Sequence, residues 1–223
     1  MTLIKTKIKN IMFDLDGTLI DSSSDVIRIL INTINKHGAN LSSDTKIKIG
    51  PPLIDMVRSV VPAISDKTMQ QILDDFRAAY KDDNLDKTLP FNNIIELLND
   101  LKSNNIDVFI VTYKPKFLAM DLLNRHFCGL YKDIVTPTEV QDFASGKTKI
   151  DILNVLIKKW NINPKESIMV GDAKSDIVCA KAVGISTIGA AYGYGEENEF
   201  ELADKKVFST EELRLHINSL VKE

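Results

Sequence analysis

Apolar residues recur along this chain in two alternating patterns. Short apolar runs at 8–13, 108–112, 134–136, 168–170, 185–188 and 207–208 read as strands. Between them apolar positions recur at helical spacing, as in Ile94, Leu97, Leu98 and Leu101, or Leu153, Leu156, Ile157 and Trp160. Strands alternating with amphipathic helices predict an α/β fold, a Rossmann-like parallel sheet with helices on both faces. The rhythm breaks between residues 22 and 89. That interval shows helices at 26–35, 53–61 and 69–80 and no convincing strand. In the last of these, Met69, Ile72, Leu73, Phe76 and Tyr80 form one stripe, the kind of face a helix buries in a core. The expected organisation is therefore an α/β core over residues 1–21 and 90–223. An all-helical cap over 22–89 is inserted after the first strand, above the carboxyl edge of the sheet.

Composition narrows the picture without redirecting it. A hydrophobic share of 44% and a charged share of 26% fit a chain that buries an ordinary core. The net charge of −3 offers no basic field to nucleic acid or an anionic membrane. No apolar run approaches the roughly 20 residues of a membrane helix, and the N-terminal segment leads straight into a strand pattern instead of a signal sequence. A cytoplasmic protein is expected. Cys128 and Cys179 lack metal-ligand spacing and sit among apolar residues, so both are expected to be buried, reduced thiols.

Open parallel sheets bind ligands beyond the carboxyl ends of their strands, and four such places carry reactive groups. Asp14 stands where the first apolar run stops, with Asp16 two residues on and Gly17 permitting a sharp exit. Two neighbouring carboxylates repel each other unless a cation intervenes. Thr112 ends the run at 108–112 and offers a hydroxyl to an anion. Lys147 and Lys149 precede a helix starting near Ile150, where a cation opposes the helix dipole and so hints at another task. Asp172 follows the run at 168–170, and Asp176 lies one helical turn later, so both carboxylates can face one point. Hard oxygen ligands of this kind suit magnesium. Taken singly, each feature is commonplace. Their order on successive strand ends makes the set specific.

The set resembles the four motifs of the haloacid dehalogenase superfamily, in the branch of phosphoglycolate phosphatase-like enzymes with a helical cap. The likeness runs from DLDGTLIDS at 14–22 to AAYGYG at 190–195. It implies Asp14 as the nucleophile that forms an aspartyl-phosphate, and Asp16 as the general acid and then base. It implies Thr112 and a lysine as phosphate-binding groups. Magnesium would be held by Asp14, the backbone carbonyl of Asp16, Asp172 and Asp176. An aspartate at position 14 and the presence of Asp16 favour phosphoryl transfer over dehalogenation.

Three places carry expectations of their own, the first two as departures from the family pattern. The lysine motif of many relatives reads Lys-Pro-x-Pro-Asp. Lys147 holds that register relative to Asp151 but lacks both prolines, whereas Lys149-Ile150-Asp151 fits a second form intact, so Lys149 is preferred and Lys147 stays open. Tyr113 stands where relatives carry a small polar residue and is expected to narrow the phosphate mouth or touch substrate. Gly50 and Pro51, in a stiff Gly-Pro-Pro turn, resemble the substrate-facing loop of the cap.

The implied reaction is magnesium-dependent hydrolysis of a small phosphorylated metabolite, such as a phosphoglycolate-like monoester, by a monomer or homodimer. A phosphomutase like beta-phosphoglucomutase or a pyrophosphatase would share these motifs. A phospho-accepting signalling domain fits poorly, since it needs neither a leaving-group acid at Asp16 nor a lid.

Overall fold

A computed structural model of the chain describes residues 7–140 and 148–221. The chain divides into two compact units, with boundaries between Ile20 and Asp21 and between Leu89 and Pro90. It opens with β1 (Asn10–Phe13) and leaves the first unit through β2 (Ile20–Asp21). The second unit holds α1 (Ser23–Lys36), α2 (Leu53–Val60) and α3 (Asp66–Asp82). The chain returns through β3 (Leu89–Pro90), which pairs with β2 in a two-stranded sheet. It continues through α4 (Ile94–Ser103), β4 (Asp107–Val111), α5 (Lys116–His126), β5 (Asp133–Val135), α6 (Lys149–Trp160) and β6 (Ser167–Gly171). Last come α7 (Lys174–Ala182), β7 (Ser186–Ala190), β8 (Lys205–Val207) and α8 (Thr210–Val221).

In the first unit six parallel strands form a sheet in the order β5-β4-β1-β6-β7-β8. The chain builds outward from β1 on one side, through β4 to β5, then crosses back to β6 and builds outward on the other. That reversal beside β1 is where open α/β sheets leave a crevice for ligand. Buried on both faces, the strands read as unbroken apolar runs, which is why the sequence showed them plainly. Register sorts their residues between faces. Met12 lies level with Phe109 and Met169, and these pack with Leu153 and Leu156 of α6 and Ala180 of α7 in one cluster. Full burial of such side chains contributes about 1.5–3 kcal/mol each.

The second unit has its own core. Leu30, Ile31 and Ile34 of α1 meet Met56 and Val57 of α2 and Met69, Ile72 and Leu73 of α3. The expected stripe on α3 is thus a core face. The ends of this unit are tied to each other. Asp25, 1% exposed, accepts hydrogen bonds from the Lys87 backbone N–H (3.0 Å) and the Thr88 hydroxyl (2.9 Å). Arg28 bridges Asp25 and Asp83, each at 2.8 Å.

Two local readings need correction. Cys128 is exposed, not buried, because α5 stops at His126 and Cys128 falls in the turn that follows; Cys179 is buried on α7 as expected. Phe208 lies beyond the end of β8 and is 60% exposed. Trp160 closes α6 half-exposed, its indole N–H donating to Asp133 at 2.8 Å.

Candidate active site

Register sets the reactive side chains level with one another. Phe13 pairs with Ile110 and with Val170, so Asp14 falls beside Val111 and Gly171. Thr112 and Asp172 then stand one residue further on. A hydrogen bond from the Asp14 N–H to the Val170 carbonyl (2.9 Å) prolongs the β1–β6 ladder by one step and fixes the Asp14 backbone.

Lys149 enters from the first turn of α6. Thr148 and Asp151 close a capping box, the Thr148 hydroxyl accepting from the Asp151 N–H (3.4 Å) and the Asp151 carboxylate accepting from the Thr148 N–H (2.8 Å). This satisfies the helix start and leaves Lys149, as the first helical residue, directed into the sheet's edge. Its side chain is 2% exposed, and its ammonium donates to Asp14 Oδ1 at 2.8 Å and to Asp176 Oδ1. Those two carboxylates offset a cation that the helix dipole and burial both oppose. Asp176 sits in the first turn of α7, fully buried, and accepts from the Ala173 N–H at 3.0 Å.

Asp172 is held by two groups. Its Oδ1 accepts from the Thr18 hydroxyl (3.1 Å) and its Oδ2 from the Tyr194 N–H (2.9 Å). Gly17 and Gly193 close around it. Gly17 adopts φ +80°, and a Cβ there would lie 2.1 Å from Asp172 Oδ2. A Cβ on Gly193 would lie 2.1 Å from the Gly17 carbonyl oxygen. The glycines of DLDGT and AAYGYG are thus two sides of one close backbone approach.

The carboxylates of Asp14, Asp172 and Asp176 come together, with one oxygen of each within 4.8 Å of the others. Three carboxylates against one ammonium leave a formal charge of −2. The consequence is electrostatic. Burial pushes Asp14 up to about 8; Lys149 opposes the shift, and Asp176 and Asp172 add to it. Burial, then Asp176, pushes Asp172 up to about 7. Lys149 moves up as well, because Asp14 and Asp176 outweigh its burial. A buried, over-acidic group of oxygen donors fits a hard divalent cation such as magnesium, whose charge would offset the excess.

Asp16 stands apart from that trio. Its carboxylate receives the Lys114 ammonium at 3.0 and 3.2 Å. Thr112 is buried, and its hydroxyl oxygen accepts from the Lys114 N–H at 3.1 Å, which leaves its own proton to donate elsewhere. Tyr113 is 46% exposed, with the Lys149 ammonium 5.3 Å from its ring centre. Lys147 lies outside the described residues. Gly50 (φ +111°) and Pro51 precede α2 in the second unit. Sequence reasoning assigned no role to Lys114, Thr18 or the Tyr194 N–H. All three lie in segments that carry the likeness, Thr18 in DLDGT, Lys114 two residues after Thr112 and Tyr194 in AAYGYG.

Comparison with known proteins agrees with this arrangement. The family description of haloacid dehalogenase-like hydrolases matches residues 11–190. A phosphoglycolate phosphatase from Vibrio vulnificus is 29% identical over 202 residues, spanning 86% of this chain and 87% of its own. The pyrophosphatase PpaX of Oceanobacillus iheyensis is 25% identical over 192 residues, with 86% and 87% covered. The crystal structure of a predicted phosphatase from Clostridium acetobutylicum superposes with a TM-score of 0.81 at 25% identity, over 96% of this chain and 100% of that one. With its matched motifs, parallel sheet and assembled carboxylates, the chain belongs to the haloacid dehalogenase-like hydrolase family, among the phosphatases of its phosphoglycolate phosphatase-like branch.

Proposed function

We propose that this enzyme is a magnesium-dependent phosphatase of a small phosphorylated metabolite, acting through an aspartyl-phosphate on Asp14. The observation that carries the reading is the Lys149 ammonium held between Asp14 and Asp176, with Asp172 beside them.

In this reading an Asp14 oxygen attacks phosphorus. The new O–P bond forms as the bond to the leaving oxygen breaks, and Asp16 gives that oxygen a proton. Asp16 then takes a proton from a water whose oxygen attacks the same phosphorus. The bond to Asp14 breaks, and inorganic phosphate leaves. Thr112 donates its hydroxyl proton to a phosphoryl oxygen, while Lys149 neutralises charge that spreads over the group in transit. If Lys147 shares that work, its contribution is the smaller. The carboxylates of Asp14, Asp172 and Asp176, with the Asp16 carbonyl, would hold magnesium, which when bound supplies the positive charge that lets an anionic nucleophile meet an anionic phosphate.

Substrate choice is assigned to Tyr113 and to the helical unit, as a cap acting through Gly50 and Pro51. The phosphoglycolate phosphatases among the relatives support a compact anionic leaving group. A diphosphate is the second reading, favoured by the relative named a pyrophosphatase. The net charge of −3 supports a metabolite over a nucleic acid or a membrane as partner.

The test is a panel of phosphorylated metabolites and pyrophosphate, assayed for phosphate release with and without magnesium, beside the Asp14→Asn variant. Release that requires both magnesium and Asp14 supports the reading. Full activity in the variant would overturn it, and isomerisation of sugar phosphates without phosphate release would make the enzyme a mutase.

A further inference from the structure

Asp16 has to do two things in turn: give a proton to the leaving oxygen and take one from water. Both demand that its carboxylate be aimed, and its side chain is 26% exposed. The backbone beneath it is already fixed. The Gly17 N–H donates to the Ile20 carbonyl, and the Leu19 N–H to the Leu15 carbonyl, each at 2.9 Å. The side-chain torsions still have to be set. The Lys114 ammonium reaches both Asp16 oxygens, at 3.0 and 3.2 Å, across a separation of 98 residues. Contact with both oxygens defines the plane of the carboxylate as well as its position. Lys114 itself is 8% exposed, so its stem is packed rather than waving in solvent. Its backbone N–H meanwhile donates to the Thr112 hydroxyl at 3.1 Å. One residue therefore touches the group expected to grip the phosphate and the group expected to move protons.

We propose that Lys114 is a positioning residue that aims Asp16 for proton transfer and aligns it with the phosphate held at Thr112. This rests on the function proposed above. Lys114 touches neither phosphorus nor the leaving group; it acts through Asp16. Its loss should weaken both proton transfers while leaving Asp14 nucleophilic.

The two half-reactions separate these effects. With p-nitrophenyl phosphate the nitrophenolate departs without needing a proton, so formation of the aspartyl-phosphate is spared. Hydrolysis of that intermediate still needs Asp16 as base. Lys114→Met should therefore give a burst of nitrophenolate stoichiometric with enzyme, followed by a steady rate slowed about tenfold or more, and acid-quenched samples should hold phosphorylated enzyme. With an alkyl phosphate the same variant should lose turnover by at least as much, with no burst. Asp16→Asn should show the same pair of patterns. Lys114→Arg, which keeps a cation able to contact both oxygens, should recover most of the rate. Should Lys114→Met fail to fold by circular dichroism, Lys114→Gln, which keeps length and one donor, provides the same readout. Unchanged turnover, or a raised KM with no burst and no phosphorylated enzyme, would overturn the proposal. If the wild type itself forms no aspartyl-phosphate, the proposed mechanism has failed and not merely the role of Lys114.

Discussion

The Lys149 ammonium lies 2.8 Å from Asp14 Oδ1, although 135 residues separate them in the chain. Its second partner is Asp176, and these partners explain why a lysine can be buried at the start of a helix, where the dipole disfavours it. Removing the cation would leave three buried carboxylates facing one another. Lys149→Ala should lower stability by about 3 kcal/mol and abolish turnover. Lys147→Ala should be milder in both respects. Chemical denaturation and steady-state kinetics on the two variants check this, and the reverse ranking would refute it.

Asp14→Asn should separate stability from activity. The site carries more negative charge than Lys149 offsets, and the amide oxygen of asparagine can still accept from the ammonium. Relief of like-charge repulsion should raise the melting temperature in metal-free buffer, by roughly 2–4 °C for each kcal/mol relieved. Turnover should vanish. A melting temperature below that of the wild type would show that the trio is not strained by its own charge.

Magnesium should stabilise the folded protein whether or not substrate is present. At a concentration about 100 times the dissociation constant the gain is about 2.7 kcal/mol. Thermal melts with and without the ion should show that upward shift. Asp172→Asn and Asp176→Asn should reduce or remove it. Equal shifts in all three proteins would place the ion elsewhere.

Gly193→Ala tests the close approach around Asp172. Its Cβ would sit 2.1 Å from the Gly17 carbonyl oxygen, closer than real contacts allow, so one of the two loops must move. A displacement of about 1 Å near reacting groups costs roughly a hundredfold in rate. The expected result is a large fall in kcat with circular dichroism unchanged. Wild-type kinetics would show that the loops yield without disturbing Asp172.

Glu139 offers a test of pH dependence away from the chemistry. Burial disfavours the charged form of Glu139, but Lys116, at 2.6 Å, and Thr136 outweigh it and hold the carboxyl down at about 2, against an ordinary value of 4.5. A lowered value in the folded state means the stabilisation is complete above about pH 4.5 and is lost as pH falls toward about 2. Glu139→Gln should therefore cost about 1 kcal/mol at pH 7. The gap from the wild type should narrow as the pH falls below 4.5. A gap independent of pH would assign the effect to packing.

Much of this was readable because burial on both faces makes a strand an uninterrupted apolar run, and the end of the run marks where chemistry can sit. Asp14, Thr112 and Asp172 were visible for that reason. The two-residue strands β2 and β3 were not, since two residues cannot display a period of two. Lys114 was given no task because nothing local distinguishes a lysine that reaches across the sheet edge from one in water. Asp151 illustrates the converse. Its spacing from Lys149 helped choose between two lysines, yet its carboxylate serves to cap α6, so the motif records how the helix starts as much as what it does. Cys128 misled because an apolar neighbourhood in sequence continued past the end of the helix that would have buried it.

The tie between Asp25 and the Lys87–Thr88 backbone and hydroxyl has a bearing on how such a protein can change over time. A segment whose two ends already clasp each other makes little demand on the scaffold from which it emerges, because the entropy of closing its loop is met internally. The stretch from 22 to 88 should therefore behave as an exchangeable cassette. A chain in which a short glycine turn replaces it should keep the far-ultraviolet circular dichroism of the parallel sheet, and collapse of that signal would show the scaffold depends on it. Diversification can then act on the cassette while the clustered carboxylates of the sheet edge stay under separate constraint.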